Sequence, residues 1–381
     1  MFIDVNIRAL LRRRLLLAFA VVLVALCVDI LHRNDTIAVD FHTYVAAGQV
    51  GIQHGWSHIY DQALVAVNQK QLAPEQVAQP FLSPPTIAYV IAPIAFLPYA
   101  IAYVTWAVLL LVVFAAALAW SGVSTGWSRW IAIVGALSPW WVMEAVNVGQ
   151  IVPIQAAACV VAWRLLRDKR EVLAGIALAA ILFKPNNSLL VPFALLFALR
   201  VRLFATWVAI SLAVLLIVVM TIGVGGMSDY VVQLTGPLPK GSDNLTLRGA
   251  LAASGTFAAA LRIVFIASVL AAGHRLRSSP ALVIPIALVG SLLVSPYLHP
   301  ADLCMLSAAG FIAWEELKTP AWRVPLAAVW VVASPYLYVP RWTLHSRQWP
   351  WLEMALLGVL LLAAWWPSLT AGVTSRRRSL A

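Results

Sequence analysis

The sequence predicts an all-α polytopic membrane protein with about twelve transmembrane helices, built as a single domain over residues 1–381. Hydrophobic residues make up 62% of the chain and charged residues only 11%, and the mean hydropathy is +0.89. Soluble domains carry about 25% charged residues. Apolar runs long enough to cross about 30 Å of hydrocarbon recur along nearly the whole length.

The basic residues lie in short clusters between the apolar runs, as expected for signals of membrane orientation. The net charge is +11, but without a continuous basic stripe it does not indicate nucleic-acid binding. The clusters predicted to face the cytoplasm are Arg8 to Arg14, Arg164 to Arg170, Arg200 with Arg202, Arg275 with Arg277, Lys318 with Arg323, and Arg376 to Arg378. Both termini are then cytoplasmic, and the number of crossings is even.

The apolar runs between these clusters define the predicted spans. They fall at about 15–31, 99–120, 130–146, 149–166, 171–185, 187–199, 203–223, 257–273, 281–297, 302–317, 323–339 and 350–367. The run from Pro84 to Pro98 is short and contains Pro93, so it is interpreted as re-entrant or interfacial.

Two extracytoplasmic loops follow from this topology, at about 32–83 and 224–256. In the first loop, residues 40–54 and 61–72 combine helical spacing with moderate polarity, which predicts interfacial helices. The three cysteines fall inside apolar segments without Cys-x-x-Cys spacing. They indicate small buried side chains, and we predict neither a disulfide nor a metal site.

Polar residues that are rare in this chain collect at the outer ends of the predicted spans. Only 15 of the 381 residues are acidic, so a carboxylate predicted at the membrane surface indicates a specific structural or functional role. The candidate site residues are Asp40, Tyr44, Asn147, Gln150, Lys184, Asn244, Arg248, His299 and Asp302. Five separate turns would bring these groups to one depth, and this convergence is more specific than any one of them.

Each candidate also has a simpler structural interpretation. Asp40 could cap a helix beginning at Phe41, and Tyr44 could anchor that helix at the interface. Lys184 could extend its ammonium group to the membrane surface. Asn147 and Gln150 could satisfy backbone groups at a tight turn, and His299 could be a plain turn residue. These alternatives stay open at this point.

The same segments together resemble glycosyltransferase family 87, whose members are polytopic GT-C-type enzymes that use polyprenyl-phosphate sugars. The matching signatures are, in chain order, Asp40-Phe41-x-x-Tyr44, Pro84-Pro85 before a proline-rich apolar run, Gly149-Gln150, Ala174-Gly175, Lys184-Pro185, and Asn244 with the Ser295-Pro296 turn. Two positions depart from the pattern. Ser83 stands where the family often has Tyr, and His299 is a single histidine placed earlier than in the mannosyltransferases.

The resemblance implies transfer of a hexose, with mannose the first choice, from a polyprenyl-phosphate donor to a glycan or glycolipid acceptor. It places the active site at the extracytoplasmic face of the plasma membrane, among membrane lipids, and implies no cofactor. Asp40 would be the general base of an inverting displacement. Lys184, Arg248 and His299 would compensate the phosphate charge, and we expect these cations to keep the pKa of Asp40 low.

The competing hypothesis is a transporter or flippase for a lipid-linked sugar. Such a protein would show broken helices in matching halves and ionisable groups near the middle of the bilayer. Here the ionisable groups lie at one face, and the two halves of the sequence do not look alike. The sequence therefore favours the enzyme.

Overall fold

A computed structural model describes residues 38–236, 245–251, 255–333 and 349–365, which form helices and turns with no strand among them. The α-helices are α1 Val39–His54, α2 Gln62–Leu72, α3 Pro85–Ile91, α4 Tyr99–Ser121, α5 Gly126–Leu137, α6 Trp140–Asn147, α7 Val152–Arg167, α8 Glu171–Leu178, α9 Leu190–Phe197, α10 Val201–Thr235, α11 Leu247–Leu251, α12 Gly255–Arg275, α13 Val283–Val294, α14 Cys304–Glu316, α15 Pro320–Ala333 and α16 Trp349–Trp365. The predicted all-α class is confirmed. The predicted span at 15–31 lies outside the described residues.

Within the described ranges, three helices are long and apolar enough to cross a membrane: α4, α10 and α12. They cover the predicted spans at 99–120, 203–223 and 257–273. Shorter apolar stretches occupy Pro85–Ile94, Glu171–Phe183, Pro280–Val294 and Glu353–Trp365. These helices fit the predicted membrane character, whereas the number of twelve crossings stays a prediction.

Several predicted spans are interrupted in the structure. The span expected at 130–146 is two helices, because α5 ends at Leu137 and Pro139 caps the start of α6. Proline has no N–H to continue the hydrogen-bonding of a helix. The span expected at 171–185 is α8 followed by a 3₁₀ turn at Ala179–Phe183.

Helix α10 is longer than a membrane crossing requires. Its 35 residues comprise two helical parts joined at a kink, and the first part alone, residues 201–222, would extend about 33 Å, enough to cross about 30 Å of hydrocarbon. The backbone breaks at Gly223, where φ is 70°, which is the predicted end of the span. Beyond the break, Tyr230 stacks on Tyr60 with ring centroids 4.9 Å apart. The distal part of α10 thus packs on the predicted first loop.

The buried apolar residues of the described ranges form two clusters. The smaller contains α1, α3 and the start of α4, with Phe41, Ile87 and Trp106 fully buried. The larger runs from the second half of α4 to α16 and includes Trp141 and Trp163. Helix α1 belongs to the first cluster, while Val148, in the turn after α6, belongs to the second. The candidate site lies where these two clusters meet.

Candidate active site

The N-terminus of α1 is held by backbone atoms from the turn after α6. The N–H of Ala38 donates to the carbonyl of Asn147 at 2.8 Å, and the N–H groups of Asp40 and Phe41 donate to the carbonyl of Val148 at 2.9 and 3.0 Å. The first N–H groups of a helix have no partner within the helix. A distant main-chain segment satisfies them here, so no side chain is needed as a cap.

Gly149 makes this close approach possible. Its φ is 73°, in the left-handed region, and a Cβ added there would lie 2.5 Å from the Cβ of Phe41. The indole N–H of Trp106 donates to the Gly149 carbonyl at 2.8 Å, which fixes the turn from the side of α4. A glycine at this position therefore sets the distance between α1 and the turn that carries Gln150.

Gln150 connects Asp40 and Tyr44. Its Nε2 donates to Oδ2 of Asp40 at 2.7 Å, and the Tyr44 hydroxyl donates to its Oε1. Asp40 lies in the first turn of α1, but Ala38 is the capping residue and no side-chain cap is made. The structure thus disfavours the interpretation of Asp40 as a cap. Among the described residues, Oδ1 of Asp40 has no hydrogen-bond partner and can accept a proton.

A second polar group surrounds Asp302, in the 3₁₀ turn Pro300–Leu303 just before α14. The Lys184 ammonium forms a buried ion pair with Oδ1 of Asp302 at 2.5 Å. Asn187 Nδ2 donates to the same oxygen at 2.9 Å, and the His299 N–H donates to Oδ2 at 2.8 Å. The segment that carries Lys184 and Asn187 is thus joined to the distant turn that carries His299 and Asp302, and the Lys184 ammonium balances the charge of the Asp302 carboxylate.

A glutamine side chain binds the main chain of the irregular segment around Lys184. Gln155 Nε2 donates to the carbonyls of Ile181 and Lys184 at 3.1 and 3.0 Å. The Lys184 ammonium also lies 5.5 Å from the ring centroid of Tyr297, and the Tyr297 ring meets His299 edge-on at 5.3 Å. Lys184 is thus buried and held at the site by these contacts.

The two groups influence each other electrostatically. Burial raises the pKa of the Asp40 carboxyl, and the nearby charges of Lys184 and His299 offset only part of that rise. Our expectation that the cations keep this pKa low was therefore wrong, because desolvation of the carboxylate outweighs their attraction. Burial and the Lys184 charge lower the pKa of the His299 imidazole. The site thus combines a carboxyl group that binds its proton more tightly than usual with a histidine that favours its neutral form.

Asn147 contributes to the site in an unexpected way. Its carbonyl accepts hydrogen bonds from Ala38 and from the Tyr103 hydroxyl, both at 2.8 Å. Its side-chain amide is buried, and neither amide atom has a hydrogen-bond partner within the described part of the chain. The side chain therefore does not satisfy the turn there, and its two polar atoms are buried without a partner among the described residues.

Two cations near the site have no carboxylate partner among the described residues. Arg262 of α12 donates to the carbonyl of Ser295 at 3.2 Å, and its guanidinium is close enough to that of Arg248 for the charges to repel. Asn244 lies outside the described residues. Arg262 and Tyr297 are residues that the list of candidates missed. A lone Arg within an apolar run was the available signal for Arg262.

The structure brings Asp40, Tyr44 and Gln150 into one hydrogen-bonded group and Lys184, His299 and Asp302 into another next to it. Among the described residues, no three His, Cys, Asp or Glu side chains are arranged to hold a metal ion.

The sequence model of glycosyltransferase family 87 matches residues 81–296, which is more than half of the 381 residues. The match contains Asn147, Gln150 and Lys184, while Asp40 and Tyr44 precede it and His299 and Asp302 follow it. No curated protein and no solved structure matches the chain. The extent of the family match shows that this chain belongs to glycosyltransferase family 87.

Proposed function

We propose that the protein transfers a hexose, with mannose the first candidate, from a polyprenyl-phosphate donor to a glycan or glycolipid acceptor, with inversion. One observation carries the proposal. The Asp40 carboxylate is fixed through one oxygen by Gln150, and its other oxygen has no partner among the described residues. A carboxylate held in this way is suited to accept a proton from a hydroxyl group.

In the proposed reaction, the acceptor oxygen attacks the anomeric carbon from the side opposite the phosphate. A new carbon–oxygen bond forms while the bond to the phosphate oxygen breaks, and the hydroxyl proton passes to Oδ1 of Asp40. The leaving group departs as polyprenyl phosphate, so no acid is needed to protonate it. The buried, unpaired amide of Asn147 would bind a hydroxyl of one of the two substrates.

The donor phosphate needs positive charge that is not already balanced. Lys184 is paired with Asp302, so this pair supplies hydrogen bonds with little net charge. Arg248 and Arg262 repel each other in the structure, and an anion between or beside them would relieve that repulsion. We therefore propose that Arg248 and Arg262 supply the charge that holds the phosphate, while Lys184 and His299 contribute hydrogen bonds to it.

The central test is Asp40→Asn, which preserves the shape of the side chain but cannot accept the proton. We expect a folded protein whose turnover falls by about 10²–10⁴, the usual contribution of a positioned base. Donor binding should survive, because removal of a negative charge does not weaken attraction for a phosphate. The assay is sugar transfer from radiolabelled polyprenyl-phosphate mannose, glucose or arabinose to membrane extract, with donor binding and thermal stability measured in parallel.

Asp61→Asn is the matched control. Asp61 is exposed and caps α2, accepting from the N–H groups of Ala63 and Leu64 at 3.0 and 3.2 Å, and Asn caps helices well. This variant should be stable and active. Tyr44→Phe should reduce turnover much less than Asp40→Asn, because it removes only the bond that orients Gln150. Near-native transfer by Asp40→Asn would contradict the proposed base.

We also propose that the site faces the outside of the plasma membrane and that both termini are cytoplasmic. Ser57 is exposed near the end of α1, and Ser278 is exposed beyond α12. A cysteine at Ser57 should react with an impermeant thiol reagent in intact cells, and a cysteine at Ser278 should react only after permeabilisation. The unmodified chain gives the background from the native cysteines, and the reverse labelling pattern would invert the proposed topology.

A further inference from the structure

A second polar feature lies at the end of the helices opposite the candidate site. Helix α7 begins at Val152, two residues after Gln150, and ends at Arg167. Helix α8 then returns toward Lys184. The turn between α7 and α8 is therefore one helix length away from Asp40, and the turn between α9 and α10 lies beside it.

These two turns enclose an open pocket, here called the basic pocket, with a volume of about 580 Å³. Its cations are Lys169, Arg170 and Arg202, and all three are exposed. Its apolar walls include Val172, Leu173 and Leu199, which are 51%, 45% and 61% exposed. Positive charge and exposed aliphatic surface thus meet in one concavity.

The cations of the basic pocket differ from their neighbours because they have no ion-pair partner among the described residues. The adjacent arginines are paired, namely Arg164 with Asp168, Arg167 with Glu316 and Arg200 with Glu171. Glu171 lines the pocket, but its charge is already balanced by Arg200. The basic pocket therefore keeps a net positive charge.

Both turns hold a non-glycine residue in the left-handed conformation, Lys169 at φ 59° and Leu199 at φ 62°. The N–H groups of Arg170 and Arg200 reach back to the carbonyls of Leu165 and Leu195 at 2.8 and 2.9 Å. This conformation is unfavourable for an L-residue, because its Cβ comes close to the following carbonyl oxygen. Strain of this kind persists where the surrounding structure requires it, and here it accompanies the exposed apolar wall.

We propose that the basic pocket binds an anionic phospholipid of the adjacent leaflet, which the basic clusters predict to be the cytoplasmic one. The lipid phosphate lies among Lys169, Arg170 and Arg202, and its acyl chains pack on Val172, Leu173 and Leu199. Basic pockets between transmembrane helices bind such head groups, and guanidinium groups hold phosphate oxygens in pairs. The apolar wall favours a lipid over a free phosphate ion. This site does not depend on the proposed enzymatic function.

The test is native mass spectrometry of the purified full-length chain, titrated with phosphatidylglycerol or with phosphatidylcholine. Replacing Lys169, Arg170 and Arg202 together by Gln should weaken phosphatidylglycerol binding by on the order of a hundredfold, because each basic side chain near an anionic surface contributes about a fivefold factor. Phosphatidylcholine binding should not change. If the triple variant does not fold, Arg202→Gln alone should weaken binding about fivefold.

The matched control replaces Arg275, Arg277 and Lys318 by Gln, removing the same charge outside the basic pocket. It should retain most of the phosphatidylglycerol affinity. Equal losses in the two triple variants would show nonspecific attraction and overturn the proposal. Full displacement of the lipid by inorganic phosphate at equal concentration would also overturn it, because the apolar wall would then contribute nothing.

Discussion

Replacement of Gly149 by Ala tests whether the turn after α6 sets the position of Asp40. The added Cβ would lie 2.5 Å from the Cβ of Phe41, whereas carbon atoms in contact are about 3.5–4.0 Å apart. Phe41 would have to move by about 1 Å to restore contact distance, and Asp40 is its neighbour in the chain. A displacement of about 1 Å in a reacting group can cost about 10²-fold in rate.

The same substitution should also lower stability. Overpacking costs about 1–3 kcal/mol, and placing Ala in the left-handed region adds about 1–2 kcal/mol. Gly126→Ala is the control, since Gly126 has a φ of 60° but no atom within 4 Å of an added Cβ. This variant should lose stability through the left-handed backbone alone, without the overpacking expected at Gly149.

Both variants would be assayed for sugar transfer and for thermal unfolding in the same detergent. We expect Gly126→Ala to retain native turnover with a modest loss of stability, and Gly149→Ala to lose more stability and about 10²-fold in turnover. A Gly149→Ala protein that is destabilised as expected but transfers sugar at the native rate would refute the reasoning. The position of Asp40 would then not depend on this turn.

Three further predictions concern charge and strain. Lys184→Met should weaken donor binding, because it leaves the buried Asp302 carboxylate without its ion-pair partner. Lys184→Arg should restore function only in part, because the two head groups differ in shape. Normal turnover by Lys184→Met would show that Lys184 is not part of the phosphate site. Since Asp40 must be ionised to act as a base, kcat/KM should fall as pH decreases through its pKa, which burial raises above the ordinary value. The same fall in kcat/KM at low pH should be seen in the His299→Gln variant. If that variant shows no such fall, Asp40 is not the titrating group. Leu199→Gly should stabilise the protein by about 0.5–1 kcal/mol, because removing the left-handed strain outweighs the conformational entropy that glycine loses on folding. Leu196→Gly within α9 should instead destabilise the protein.

The sequence was sufficient to locate the polar residues because they are rare in this chain and lie at the ends of apolar runs. Helices at Val39–His54 and Gln62–Leu72 occur where helical spacing was seen in the first loop. The pairing of Lys184 with Asp302 could not be predicted, because their 118-residue separation carries no local pattern. The raised pKa of Asp40 was missed for a related reason, since desolvation depends on packing that appears only in the folded chain.

Main-chain attachment of α1 affects how family members could diverge. The carbonyls of Asn147 and Val148 hold the helix, and a carbonyl is present whatever the side chain. A new residue at position 147 would change the group offered to a ligand while leaving the helix and its carboxylate in place. If the proposed mechanism holds, the identity of the sugar or acceptor could therefore shift through single substitutions during evolution, without a change in the carboxylate proposed to remove the proton.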